Sequence, residues 1–81
     1  MFKICVLERG WVIFGELEKE GNYYFLRKAS FIRRWGTKNG LGEIAENGPT
    51  KDTILDKTTT VKFHENQMIF CLNCNEEKWK I

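Results

Sequence analysis

The sequence predicts a mainly β domain: a small barrel of five short antiparallel strands, with one short helix inserted between the third and fourth. Three observations predict it. Strand-length runs of apolar, aromatic and β-branched residues are separated by turns bearing Gly or Asn. Only Leu41 to Asn47 has clear helical spacing, through Leu41, Ile44 and Ala45. The strands are short and bent, and such strands usually close on themselves, which removes exposed edges. The alternative on the same elements is an open sheet covered by the helix.

The elements follow in order. Phe2 to Leu7 is the first strand, stopped by the turn Glu8-Arg9-Gly10. Trp11 to Lys19 is the second. Its alternation puts Trp11, Ile13, Gly15 and Leu17 on one face and Val12, Phe14, Glu16 and Glu18 on the other. Gly15 in mid-strand signals a bend or a close approach of another backbone. Glu20-Gly21-Asn22 is a hairpin turn. Tyr23 to Ala29 is the third strand, and Ser30 to Trp35 continues it past an expected bulge at Ala29-Ser30.

Gly36 to Gly40 is a loop. The helix Leu41 to Asn47 is closed by Gly48 at C′, with Pro49 beyond to prevent continuation. Thr50 to Lys57 reads as a connection in which Ile54 and Leu55 plug the core. Thr58 to Phe63 is the fourth strand, Glu65-Asn66 a tight turn, and Gln67 to Asn73 the fifth strand. Asn75 to Ile81 is a charged tail, with Trp79 and Ile81 as its apolar exceptions.

Eighty-one residues make one domain, residues 1–81, with a marginal core that favours self-association into a homo-oligomer. No apolar run approaches the length of a bilayer span, and the expectation is a protein without a secretory leader that does not bind membranes. Three cysteines, an odd number, point to reduced thiols in a cytoplasm. Net charge is +2, but its distribution is uneven. Gly21 to Leu41 carries five cations (Arg27, Lys28, Arg33, Arg34, Lys38) and no acid, while the rest of the chain is mildly acidic.

Two resemblances add to this reading. Val12-Ile13-Phe14-Gly15-Glu16-Leu17, a turn, then Tyr23-Tyr24-Phe25-Leu26 and Ala29 resembles the first motif of Sm-like small β-barrels. Val61-Lys62-Phe63 and Ile69-Phe70-Cys71-Leu72 resemble their closing hairpin. The chain lacks the Asp and Asn of that family's RNA-contacting loop and the Arg-Gly of its second motif. The resemblance therefore implies an Sm/SH3-like barrel and ring formation, and not uridine-type RNA binding. The second pattern is Ala29-x-x-Ile32-x-x-Trp35 followed by Gly40-Leu41-Gly42-Glu43-Ile44-Ala45-x-x-Gly48-Pro49. It resembles a family of small bacteriophage proteins with a strand ending in Trp, a short helix and a closing hairpin. That resemblance implies a small accessory protein acting in a bacterial host's cytoplasm, and it transfers no catalytic residue.

The chemistry-bearing residues are few. Cys71 and Cys74 have metal-ligand spacing, and Cys5 and His64 could complete a Cys₃His zinc set. Zinc knuckles usually bring two ligand pairs, however, and Cys71 sits among strand residues where a thiol is a small hydrophobe, so no metal or other cofactor is expected. His64 is the sole histidine and Ser30 the sole serine, too little for a nucleophile, base and orienter, so no enzyme is expected.

The informative segment is Arg33-Arg34-Trp35-Gly36-Thr37-Lys38-Asn39-Gly40-Leu41-Gly42. Alternation places Arg33 and Arg34 on opposite faces, with Trp35 beside Arg33. Arginines, an aromatic ring and a Gly-rich turn leading into a helix suit a flat anionic ligand such as a nucleotide. The spacing lacks the Gly-Lys-Ser/Thr ending of a P-loop. Arg33, Arg34, Trp35, Gly36, Thr37, Lys38, Gly40 and Gly42 are the expected ligand contacts. The bland reading is a surface connection whose Trp is core and whose arginines pair with the acidic remainder. The expected function is an oligomeric binding protein that sequesters a nucleotide-like ligand, a counter-defence role. The alternative is an inhibitor that binds a host protein or nucleic acid through Arg27–Lys38.

Overall fold

The computed structural model describes residues 2–79. Six strands and one helix run in the order β1 (Phe2–Leu7), β2 (Val12–Glu20), β3 (Tyr23–Arg34), α1 (Leu41–Asn47), β4 (Ile54–Lys57), β5 (Val61–His64) and β6 (Met68–Asn73). The domain is mainly β, as expected, with the helix between the third and fourth strands. The count is six strands, not five, and the antiparallel sheet is open instead of closing into a barrel. The additional strand, β4, lies inside the segment read as a connection. Its four residues Ile-Leu-Asp-Lys are too few and too mixed to show a period. Leu55 packs against the core, but Ile54 is exposed, so only one of the two expected plugs is inside.

β1, β2 and β3 form an antiparallel meander, and β6 returns beside β1. The remaining edge of β3 serves two partners: Tyr23–Leu26 pairs with β5, and Ser30–Arg34 pairs with β4. A bend divides these halves. The β2–β3 register shifts between Phe14 and Glu16, and Lys28 takes a left-handed φ of 52° at the bulge. The expected bulge thus lies close to its anticipated place. Gly15 sits opposite it because a Cβ there would stand 2.9 Å from the Arg27 carbonyl oxygen.

Apolar residues are buried on both faces of the central strands. Cys5, Leu7, Ile13, Leu26, Ala29 and Phe63 make one cluster, here called inner. Ile4, Val12, Phe14, Ile32, Ile44, Ala45, Cys74 and Trp79 make a second, outer cluster under α1. α1 ends as expected: Gly48, at φ 83°, donates its N–H to the Ile44 carbonyl.

The expected charged tail instead supplies the keystone of the outer cluster. Residues Glu76–Trp79 form a 3₁₀ turn that buries Trp79 to 1% exposure. Its ring stacks on Phe14 at 4.1 Å, and Phe14 stacks on Phe2 at 5.0 Å. Its indole Nε1–H donates to the carbonyls of both Ile44 and Ala45 at 3.1 Å, capping the C-terminal turn of α1. Ile81, the other apolar residue of the tail, lies outside the described residues.

Trp79→Ala is expected to cost about 3–5 kcal/mol through the cavity it leaves. Trp79→Phe, which keeps a ring but leaves the Ile44 and Ala45 carbonyls with one donor each, from Gly48 and Asn75, should cost about 0.5–1.5 kcal/mol. Urea denaturation followed by circular dichroism measures both, and a Trp79→Phe variant as stable as wild type would show that the hydrogen bonds contribute nothing.

Candidate functional site

The end of β3 and the loop that follows surround an open cleft of about 540 Å³, lined by Arg33, Arg34, Trp35, Gly36, Thr37, Lys38 and Asp52. Six of the eight expected contacts therefore meet at one place. Gly40 and Gly42 do not join them. Gly40 precedes α1 at φ 77°, and Gly42 lies on the helix, facing the end of β6. Asp52, from the Thr50–Thr53 turn, is not legible as a site residue in the sequence, because nothing local links it to Gly36, sixteen residues earlier.

Arg33 and Arg34, expected on opposite faces, are both exposed and both line the cleft. The β3–β4 register shifts between Ile32 and Arg34, and such a bulge breaks the strict alternation from which opposite faces were expected. Their environments still differ. Arg33 makes a two-pronged contact with Asp56 on β4, at 3.0 and 2.8 Å. The guanidinium hydrogen bonds hold the Asp56 carboxyl below its ordinary range. A lowered carboxyl pKa means the pair is present at neutral pH and is lost as pH falls below that range. The side chains of Arg34 and Lys38 have no hydrogen-bond or ion-pair partner among the described residues.

The rest of the basic segment is already neutralised. Arg27 pairs with Glu18 at 3.0 Å, and Lys28 lies 3.5 Å from Glu16. Of the two arginines that the bland reading pairs with acids, Arg33 is paired and Arg34 is not. The bland reading fails for Trp35, which is 37% exposed at the cleft and not part of the core.

Hydroxyl groups fix the loop. Thr53 Oγ1 donates to the Trp35 carbonyl at 2.6 Å, Thr50 Oγ1 to the Gly36 carbonyl at 3.0 Å, and Thr37 Oγ1 to the Gly40 carbonyl at 2.7 Å. Gly36 has φ 65°, and a Cβ there would lie 2.5 Å from the Asp52 carbonyl carbon. Only glycine lets the two segments meet this closely.

The other candidates separate. Cys71 packs on the inner cluster and Cys74 belongs to the outer one, so the Cys-x-x-Cys pair is split across the sheet. Among the described residues no three His, Cys, Asp or Glu side chains are grouped to hold a metal. His64 Nδ1 accepts from the Asn66 N–H, capping the turn before β6, and Glu65 pairs with Lys19 at 2.9 Å. A smaller cavity of about 300 Å³ lies beneath Trp11, with Leu7, Ile13 and Phe63 in its wall. No described helix is long and apolar enough to cross a membrane.

With the fold and cleft defined, the chain matches no protein-family model and shows no significant similarity to curated proteins.

Thr53→Val removes the donor to the Trp35 carbonyl while keeping the side chain's shape. It should cost about 0.5–1.5 kcal/mol and speed amide exchange of loop residues 36–40 about 2- to 12-fold. Exchange unchanged in that loop would show that the threonines do not hold it.

Proposed function

We propose that this protein is a phage-type, non-enzymatic binding protein that captures an anionic, nucleotide-like ligand in the Arg33–Lys38 cleft. One observation carries the reading: Arg34 and Lys38, two cations whose side chains have no partner among the described residues, share an open cleft with the exposed ring of Trp35. A phosphate would take paired hydrogen bonds from the Arg34 guanidinium, and Lys38 would add a mobile point charge. Trp35 supplies a flat face for a base. Asp52, a carboxylate among the cations, suits a ligand that also carries hydroxyl or amino donors.

The cleft contains no residue arranged as nucleophile and base. Thr37, its hydroxyl-bearing residue, already donates to the Gly40 carbonyl. Binding without turnover matches sequestration, a counter-defence role in the cytoplasm of a bacterial host. The resemblance of Ala29 to Pro49 to small bacteriophage proteins supports that setting.

We also read the sheet as an open form of the Sm/SH3-like small barrel, and the protein as a homo-oligomer. The outer edges of β4, β5 and β6 are unpaired among the described residues, and Ile69 and Phe70 on β6 are exposed. Open edges with apolar side chains favour pairing with another copy.

A titration of wild type and single alanine variants with mono-, di- and cyclic nucleotides and short oligonucleotides tests the ligand. Arg34→Ala should weaken nucleotide binding about 10- to 150-fold, the equivalent of about 1.5–3 kcal/mol for hydrogen bonds to a charged group. Lys38→Ala should cost less, and Arg33→Ala less than Arg34→Ala, because Arg33 is committed to Asp56. Binding of oligonucleotides alone, weakening steeply with salt, would move the reading to nucleic acid. Failure to bind either class would discard the cleft and favour a host protein as partner.

Sedimentation tests assembly separately. The expected particle is larger than the 9.6 kDa chain at micromolar concentration, and a monomer would refute it.

A further inference from the structure

Cys5 and Cys71 stand directly opposite one another across the β1–β6 ladder. Opposed residues in an antiparallel pair alternate between hydrogen-bonded and non-hydrogen-bonded sites, and side chains come closer at the latter. Two backbone bonds establish which kind this is. The Cys74 N–H donates to the Phe2 carbonyl. Continuing that register places the β1–β6 bonds at Phe2, Ile4 and Val6. On the other side of β1 the Leu7 N–H donates to the Trp11 carbonyl. That phase places the β1–β2 bonds at Lys3, Cys5 and Leu7. Both arguments agree: Cys5 spends its backbone groups on β2 and meets Cys71 as a non-hydrogen-bonded pair.

The two side chains share a face. Cys5 is fully buried in the inner cluster, and half-buried Cys71 packs against that cluster. Pairs of this class have Cα atoms about 4.5 Å apart, inside the roughly 4.4–6.8 Å range of disulfides. Their Cβ atoms sit about 4.5–5.5 Å apart, whereas a disulfide wants about 3.5–4.5 Å. Bridging therefore needs a small approach of the strands, which makes the bond easily reduced and not a permanent staple.

We propose that Cys5 and Cys71 form a two-electron redox site, in which a low-molecular-weight disulfide such as oxidised glutathione converts them to a cross-strand disulfide joining β6 to β1. Half-buried Cys71 is the sulfur that a reagent can reach. Its thiolate, having released its proton to solvent, attacks one sulfur of glutathione disulfide. A Cys71–glutathione bond forms and one glutathione thiolate leaves. Cys5 then gives its proton to solvent and attacks Cys71 Sγ. The Cys5–Cys71 bond forms, and the second glutathione thiolate leaves. Both departing thiolates take up protons. The protein loses two hydrogens, and one glutathione disulfide becomes two glutathione molecules.

Burial, then the neighbouring Cys71 sulfur, pushes the Cys5 thiol up to about 12, with Lys3 opposing the shift and Cys74 adding to it. The closing step is therefore the slow one. Cys74, on the outer cluster, takes no part. The site shares no residue with the Arg33–Lys38 cleft, so the two readings stand or fall separately.

The test incubates the reduced full-length protein, natively folded, with oxidised glutathione, then quenches and alkylates it for intact-mass and peptide analysis. The expected product is lighter by two hydrogen atoms, retains one alkylatable thiol at Cys74, and links the Cys5 and Cys71 peptides. Cys74→Ser should oxidise like wild type, and Cys71→Ser should lose the product; circular dichroism confirms that both are folded. Dithiothreitol should restore all three thiols. A glutathione adduct that persists at Cys71 without closure would overturn the proposal. So would a bond between Cys71 and Cys74, or three free thiols under conditions that fully modify an exposed cysteine.

Discussion

The indole of Trp79 is the contact on which the outer half of the domain depends. A seven-residue helix has little stability of its own and leaves its last carbonyls without intrahelical partners. Trp79 addresses both deficits together: its ring covers Phe14, and its N–H serves the carbonyls of Ile44 and Ala45. The Asn75 N–H adds a bond to the Ala45 carbonyl, and Gly48 lets the helix end pass close to the Lys78 backbone. Helix, tail and sheet are thus three parts of one packing unit.

Beneath that unit the sheet buries apolar groups on both faces. Ile4 and Cys5 lie side by side in β1 yet belong to different clusters, as do Ile13 and Phe14 in β2. An 81-residue chain gains from this arrangement, because each central strand contributes to two apolar layers instead of one. The bulge at Gly15 and Lys28 falls between the half of β3 that pairs with β5 and the half that pairs with β4.

The parts of the fold legible in sequence are those with a local cause. The meander follows from apolar runs broken at Gly10 and Gly21, the helix from Leu41, Ile44 and Ala45 with Gly48 as its stop, and the bend from Gly15. β4 was not legible, because its four residues are strand only through their partner β3. Trp79 stands out in the sequence as an apolar exception in a charged tail but not as core, because its partners Phe14 and Ile44 are distant in the chain. At the cleft, residue types and their clustering were legible from Arg33 to Lys38. The pairing of Arg33 with Asp56 and the arrival of Asp52 were not, since both come from elements placed by tertiary structure. The shared exposure of the two arginines hinges on a bulge, which period-two reasoning cannot see.

The four-residue β4 has a further consequence. It has one half-buried side chain, Leu55, and its outer edge is open to solvent, so it belongs among the segments that open locally at little cost. It also carries Asp56, the carboxylate that occupies Arg33. Each opening of β4 frees a third cation beside the cleft, and each closing withdraws it. In the proposed binding reading, an anion against Arg33 and a docked β4 are therefore rivals for one guanidinium.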